Sequence, residues 1–210
     1  MKTPVDRQNW DREEYFQFFS HYGNPFFTVT ADIDVSGTYL RAKKEHRSFF
    51  IYSLYKLLTA INAIENFHYR IDRNGDVVKY DIIHVSPTVG RPDGSYAATF
   101  MEYSPDFETF EKTARAEIER ALKGKGLMLK LENDHDDAVF FSVLPWFSFT
   151  EIVHPFYSAK GAGNPLIATG RLKKQENGRI IMPLSISAHH GFADGYHAGQ
   201  FFIRAEQLMK

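Results

Sequence analysis

The clearest pattern along the chain lies between residues 27 and 35. Phe27, Val29, Ala31, Ile33 and Val35 alternate with Thr28, Thr30, Asp32 and Asp34. A period of two predicts a strand with one buried face. Ahead of it, Tyr15, Phe18, Phe19 and Tyr22 recur at helical spacing, which predicts a helix over 9–21 with one aromatic stripe. Ser36 can cap a short helix, and residues 49–64 read as a long, mostly buried one. Segments 67–71 and 77–80 flank Asn74-Gly75, a hairpin signal. Segments 82–89 and 98–103 read as further strands. Ser104-Pro105 predicts a helix start, with Ser104 as N-cap and an apolar stripe of Phe107, Phe110, Ala114, Ile118 and Ala121. Segments 139–143 and 146–153 are strand-like. Residues 166–172 and 179–188 predict a hairpin over Asn177-Gly178. The last helix starts at Asp194 and runs to about 209, with Ala198, Phe201, Phe202, Ala205 and Leu208 inward.

Strands outnumber helices in this reading, and hairpins make much of the pairing. The expected fold is α/β: a two-layer sandwich of a mixed sheet covered by helices, in a single domain over 1–210. The loose stretches are short, at 123–125 and 160–165. A Rossmann fold is not expected, because no strand-to-helix turn carries the glycine fingerprint for a dinucleotide.

Composition narrows the function. Nineteen Phe and eleven Tyr in 210 residues suffice for a packed core and an aromatic-lined pocket. A formal net charge of −1 with mixed signs argues against nucleic acid as a partner. The absence of cysteine excludes disulfides, thiolate metal sites and a cysteine nucleophile. Residues 1–10 lack the apolar run of a signal peptide, and no segment has the ~18 apolar residues a membrane helix needs. A cytoplasmic protein with no membrane contact is the expectation.

Candidate chemistry concentrates in His189-His190-Gly191-Phe192-Ala193-Asp194-Gly195. In the preceding strand, Ile180, Met182, Leu184, Ile186 and Ala188 share one face. His190 continues that face, while His189 joins Ser185 and Ser187 on the other. A histidine at the inner end of an apolar strand is partly desolvated, which favours a neutral ring able to accept a proton. Asp194 stands where a carboxylate caps the following helix. Two other readings remain open on these residues alone. The histidine could be an ordinary core residue bonded to backbone. His189, His190, Asp194 and His197 could bind zinc, although opposite directions of the two adjacent rings count against it.

The segment resembles the HHxxxDG signature of the CoA-dependent acyltransferase superfamily. Trp10-Asp11-Arg12-Glu13-Glu14-Tyr15-Phe16 and Ser142-Val143-Leu144-Pro145-Trp146-Phe147-Ser148-Phe149 are similar to two stretches of the chloramphenicol acetyltransferase family within it. That resemblance implies an O-acetyltransferase using acetyl-CoA as co-substrate, with no permanently bound cofactor and no metal. It implies His190 as the base that deprotonates the acceptor hydroxyl and Ser142 as the donor to the oxyanion. Asp194, salt-bridged to Arg12, would orient the turn. Trp146 would lie near the coenzyme. Phe18, Phe19, Phe27 and Tyr96 would line the acceptor pocket, although any one of them could equally be core. The resemblance also implies a homotrimer with active sites between subunits.

Several positions depart from the family pattern. Phe19 stands in place of a tyrosine, Tyr96 of a phenylalanine, Ala168 of a threonine and Pro25 of a small residue. Residues 90–99 are unusually rich in Gly and small side chains. These departures bear on the acceptor, which is chloramphenicol or a similar small apolar alcohol in the leading reading. They also motivate an alternative from another class: a catalytically weak protein that binds an aromatic small molecule.

Overall fold

A computed structural model describes residues 1–128, 136–155 and 163–210. In chain order the elements are β1 (Lys2–Pro4), α1 (Glu13–Phe19), β2 (Phe26–Asp34), α2 (Ser36–Lys44), α3 (Phe49–Asn62), a 3-10 turn (Glu65–His68), β3 (Tyr69–Ile71), β4 (Val77–Tyr80) and β5 (His84–Gly90). There follow β6 (Tyr96–Ala98), α4 (Phe107–Lys123), β7 (Ala138–Leu144), β8 (Leu166–Gly170), β9 (Lys173–Lys174), β10 (Ile180–His189) and α5 (Gly195–Met209).

The main sheet runs in the order β2-β10-β8-β7-β5-β6, with β9 paired to the start of β10. β7 is parallel to both β5 and β8, and the remaining pairs are antiparallel. The sheet is therefore mixed, as expected. One face meets the helices. Ile180, Met182, Leu184, Ile186 and Ala188 of β10 pack there with Leu54, Leu58 and Ile61 of α3, Phe110 of α4 and Phe201 of α5. Paired residues share a face, so Thr30, Ser185, Ala168 and Ser142 form one row across β2, β10, β8 and β7 on the other side. Every residue of β10 is buried, which makes it the central rail of the fold.

A small second sheet, β1-β4-β3, contains the expected hairpin over Asn74-Gly75. Gly75 has φ +90°, a value few other residues adopt, and Asp72 accepts the N–H groups of Asn74 and Asp76. The hairpin over Asn177-Gly178 is closed by β9 and the start of β10.

Four expectations need correction. The first helix is only seven residues long, and its buried aromatic is Phe16; Tyr15, Phe18 and Tyr22 are exposed. The helix after Pro105 is capped by Asp106, whose carboxylate accepts the Thr109 N–H at 2.9 Å, so it starts later than the Ser-Pro signal predicts. Segment 146–153 is not a strand. β7 is already flanked by β5 and β8 and leaves it no sheet edge, and Phe149 instead packs beside Gly170. β6 covers 96–98 rather than 98–103. Pro87 offers β5 no donor, and both the N–H and the hydroxyl of Thr99 turn to the Pro87 carbonyl. The loose stretch at 160–165 lies partly outside the described residues.

Candidate active site

The site begins where β10 ends. His189 is the last strand residue, and the chain then turns through His190, Gly191, Phe192 and Ala193 to the N-cap of α5 at Asp194. The N–H groups of Phe192 and Ala193 return to the His189 carbonyl at 2.9 and 3.1 Å. The His190 N–H donates to the Pro25 carbonyl at 2.8 Å, tying the turn to the start of β2.

The two histidines point to opposite sides, as strand parity predicts. The His190 ring stacks on Phe19, with centroids 4.0 Å apart and planes 2° from parallel, and lies 4.8 Å from Phe27. Phe27 pairs with Ala188, so His190 shares the apolar side. Its Nδ1 is buried and unpartnered among the described residues, which leaves Nε2 as the nitrogen open to a reactant. His189 is the fully buried member, 2% exposed. Its ring is wedged among Phe16, Phe26 and Phe192. Burial, helped by the neighbouring His190, pushes its pKa down to about 4, so the strongest desolvation falls on His189.

Arg12 and Asp194 meet across the chain. Arg12 is 7% exposed. Its Nη1 donates to Asp194 Oδ2 at 2.8 Å, its Nη2 to the His190 carbonyl at 3.0 Å and its Nε to the Gly191 carbonyl at 3.4 Å. Asp194 Oδ1 accepts the Tyr196 N–H at 3.0 Å, closing the helix cap. His197 Nδ1 lies 2.8 Å from Asp194 Oδ1 and 3.2 Å from the Asp194 N–H; its tautomer decides which contact is a hydrogen bond. Burial pushes the Asp194 carboxyl up, but Arg12, His197 and the Tyr196 N–H outweigh it and hold the pKa below its usual value. Among the described residues no three His, Asp or Glu side chains converge as a metal ion would require.

Ser142, Trp146 and Tyr96 stand elsewhere. Ser142 pairs with Ala168, and Ala168 with Ser185. From Ser185, five further positions lead to His190, or roughly 16 Å along the strands, and two strand spacings add ~10 Å across. Ser142 and His190 of one chain therefore do not meet. Tyr96 lies on β6 and Phe27 on β2, at opposite edges of the main sheet. Trp146 follows β7 and is 74% exposed. Phe18, 58% exposed, packs edge-on against Phe19. One chain thus carries two partial clusters. Arg12, Phe18, Phe19, Phe27, His190 and Asp194 form one, and Ser142, Trp146 and Tyr96 lie toward the other end. A cavity of about 360 Å³ lies on the helix-covered face near the end of β7, lined by Phe49, Phe50, Val143, Pro145, Arg171 and Leu172 among others.

A family model described as chloramphenicol acetyltransferase matches residues 2–206. The chain belongs to the chloramphenicol acetyltransferase family. A chloramphenicol acetyltransferase from Streptomyces acrimycini is 27% identical over 99% of this chain and 94% of its own. One from Clostridium butyricum is 26% identical over 97% and 93%. A solved structure of a chloramphenicol acetyltransferase superposes with a TM-score of 0.92 at 35% identity, covering all of both chains. The family is one of acyltransferases, and this fold is theirs.

Sequence reasoning missed His197 as a partner of Asp194, although the three-residue spacing of a capping box is a readable signal. Beyond the zinc reading, it gave no role to His189. The cavity had no signal, because its lining converges from α3, β7 and the segment after β8.

Proposed function

We infer that the chain is an O-acetyltransferase moving acetyl from acetyl-CoA to a hydroxyl of chloramphenicol or a similar small apolar alcohol. One observation carries the reading: the turn that holds His190 is fixed by Arg12 and Asp194, while Nε2 stays open beside Phe19 and Phe27. Nε2 takes the hydroxyl proton as the alkoxide oxygen attacks the thioester carbonyl carbon. The Ser142 hydroxyl donates to the resulting oxyanion, a contact worth about 2.7–4 kcal/mol when preorganised. Collapse breaks the C–S bond, and the imidazolium returns its proton to the CoA thiolate. Asp194 takes no proton; it holds Arg12 and the turn.

Because Ser142 and His190 of one chain are far apart, the complete site combines two copies. A cyclic homotrimer supplies three such sites, each with His190, Phe18, Phe19 and Phe27 from one copy and Ser142, Tyr96 and Trp146 from the next. Trp146, 74% exposed just after β7, is the contact offered to the coenzyme. No helix among the described residues is long and apolar enough to cross a membrane, which is compatible with a cytoplasmic enzyme. The test is thiol release from acetyl-CoA in the presence of chloramphenicol. Wild type is expected to turn over and His190→Ala to lose nearly all activity. Equal rates in the two proteins overturn the mechanism.

A further inference from the structure

The peptide unit between His190 and Gly191 is held at both polar ends. Arg12 Nη2 donates to its carbonyl oxygen at 3.0 Å, and its N–H donates to His189 Nδ1 at 3.1 Å. That N–H has no other partner among the described residues. Since Nδ1 accepts, the ring carries its proton on Nε2. The rings of Phe16, Phe26 and Phe192 keep the imidazole in place. There is no slack at Gly191 either: a Cβ there would meet Phe16 Cα at 2.8 Å and the His189 ring at 3.0 Å.

We propose that His189 is a positioning residue for acyl transfer: by accepting the Gly191 N–H it fixes the plane of the peptide that follows His190, and with it the direction of the His190 ring. The proposal rests on His190 being the base. Arg12 alone holds one end of the peptide and leaves it free to rotate about that contact. With the N–H also engaged, rotation breaks a buried hydrogen bond. Removing the acceptor leaves a buried N–H unpaired, and turning the peptide toward another acceptor relieves it. His190 is the side chain that such a turn carries away from the acceptor hydroxyl, and small misplacements of a reacting group cost large factors in rate.

Three substitutions separate positioning from mere support. His189→Phe keeps an aromatic ring and removes the acceptor. His189→Asn returns an acceptor oxygen near the Nδ1 position, whereas His189→Gln places it near Nε2, out of reach of Gly191. Each protein is assayed below its melting temperature for kcat and both KM values. His190 is also observed by long-range 1H–15N correlation in histidine-labelled protein. The expected result is a kcat about tenfold or more below wild type for the Phe and Gln variants, with KM values within about twofold, and near recovery in the Asn variant. The His190 ring resonances should move in the Phe and Gln variants and return in Asn. If Phe does not fold, the Asn–Gln pair decides. Wild-type kcat and unmoved His190 resonances in the Phe or Gln variant overturn the proposal, as does an Asn variant no better than Gln. Should wild type itself turn over no alcohol, the functional reading fails, and the His190 resonances alone decide the positioning role.

Discussion

Arg12 and Asp194 are bound at 2.8 Å, and the same guanidinium reaches the His190 carbonyl at 3.0 Å. The ion pair is thus also a brace on the candidate base. Arg12 is buried and Asp194 partly so, and removing the charge of one leaves the other poorly compensated. Asp194→Asn keeps the helix cap but loses the charge. It should cost roughly 1–3 kcal/mol of stability. That is a drop of several degrees in Tm by calorimetry for a chain of this size. kcat should fall with it, since the turn loosens, while KM for acetyl-CoA changes little. An Asn variant with wild-type Tm and kcat would contradict this role.

His189 makes stability depend on pH. Its folded pKa is about 4, against ~6.5 for an unfolded histidine. Between those values the unfolded chain binds the extra proton and the folded one does not. The contribution is therefore complete above about pH 6.5 and is lost progressively as pH falls toward 4, a total of roughly 3 kcal/mol. The charged and titratable groups around this turn are His190, His197, Arg12 and Asp194. The Asp194 carboxyl, held below its usual value, loses its own contribution at lower pH than this window. Urea denaturation at pH 7, 6, 5 and 4.5 measures the slope, and His189→Asn should flatten it. Equal slopes in the two proteins would show that other groups cause the acid loss.

Gly191→Ala tests the tightness of the turn directly. The new methyl group would sit 2.8 Å from backbone at Phe16 and 3.0 Å from the His189 ring. Neither neighbour is the free end of a flexible side chain, so the turn itself must shift. Overpacking of this kind typically costs about 1–3 kcal/mol. Thermal unfolding should show it, and kcat should fall by more than the stability loss alone explains, because the shift occurs next to His190. A neutral substitution would mean that α1 moves freely relative to the turn.

Periodicity made much of this architecture readable. The alternation in β2, the hairpin over Asn74-Gly75 and the parity that separates His189 from His190 all follow from local pattern, and the structure keeps them. Local pattern misleads where a tertiary neighbour decides. Residues 146–153 look like a strand, but the preceding β7 is already paired on both sides and cannot take them as a hairpin partner. The aromatic stripe of α1 is mostly exposed, because the helix is short and buries Phe16 against Phe192 instead. The pairing of Arg12 with Asp194 spans the whole chain, and no local signal encodes it; the resemblance to a family supplied it. The separation of Ser142 from His190 is a matter of strand register, which composition and spacing do not report.

That separation yields the strongest test of a shared site. If each site combines His190 of one copy with Ser142 of the next, His190→Ala and Ser142→Ala proteins are each nearly inactive alone. Mixed in one cyclic assembly, they regenerate whole sites wherever a Ser142→Ala copy supplies His190 to a His190→Ala copy that supplies Ser142. Random assembly of equal amounts gives intact pairs at about one quarter of positions. Unfolding the two variants together, refolding the mixture and assaying thiol release from acetyl-CoA should therefore recover roughly a quarter of wild-type activity. Refolding each variant separately and then mixing should recover almost none until subunits exchange. Sedimentation of the refolded mixture fixes the number of copies. An active Ser142→Ala protein would remove Ser142 from the chemistry, and no recovery in a correctly assembled mixture of two inactive variants would place both residues at one chain's site, against the register of β7, β8 and β10.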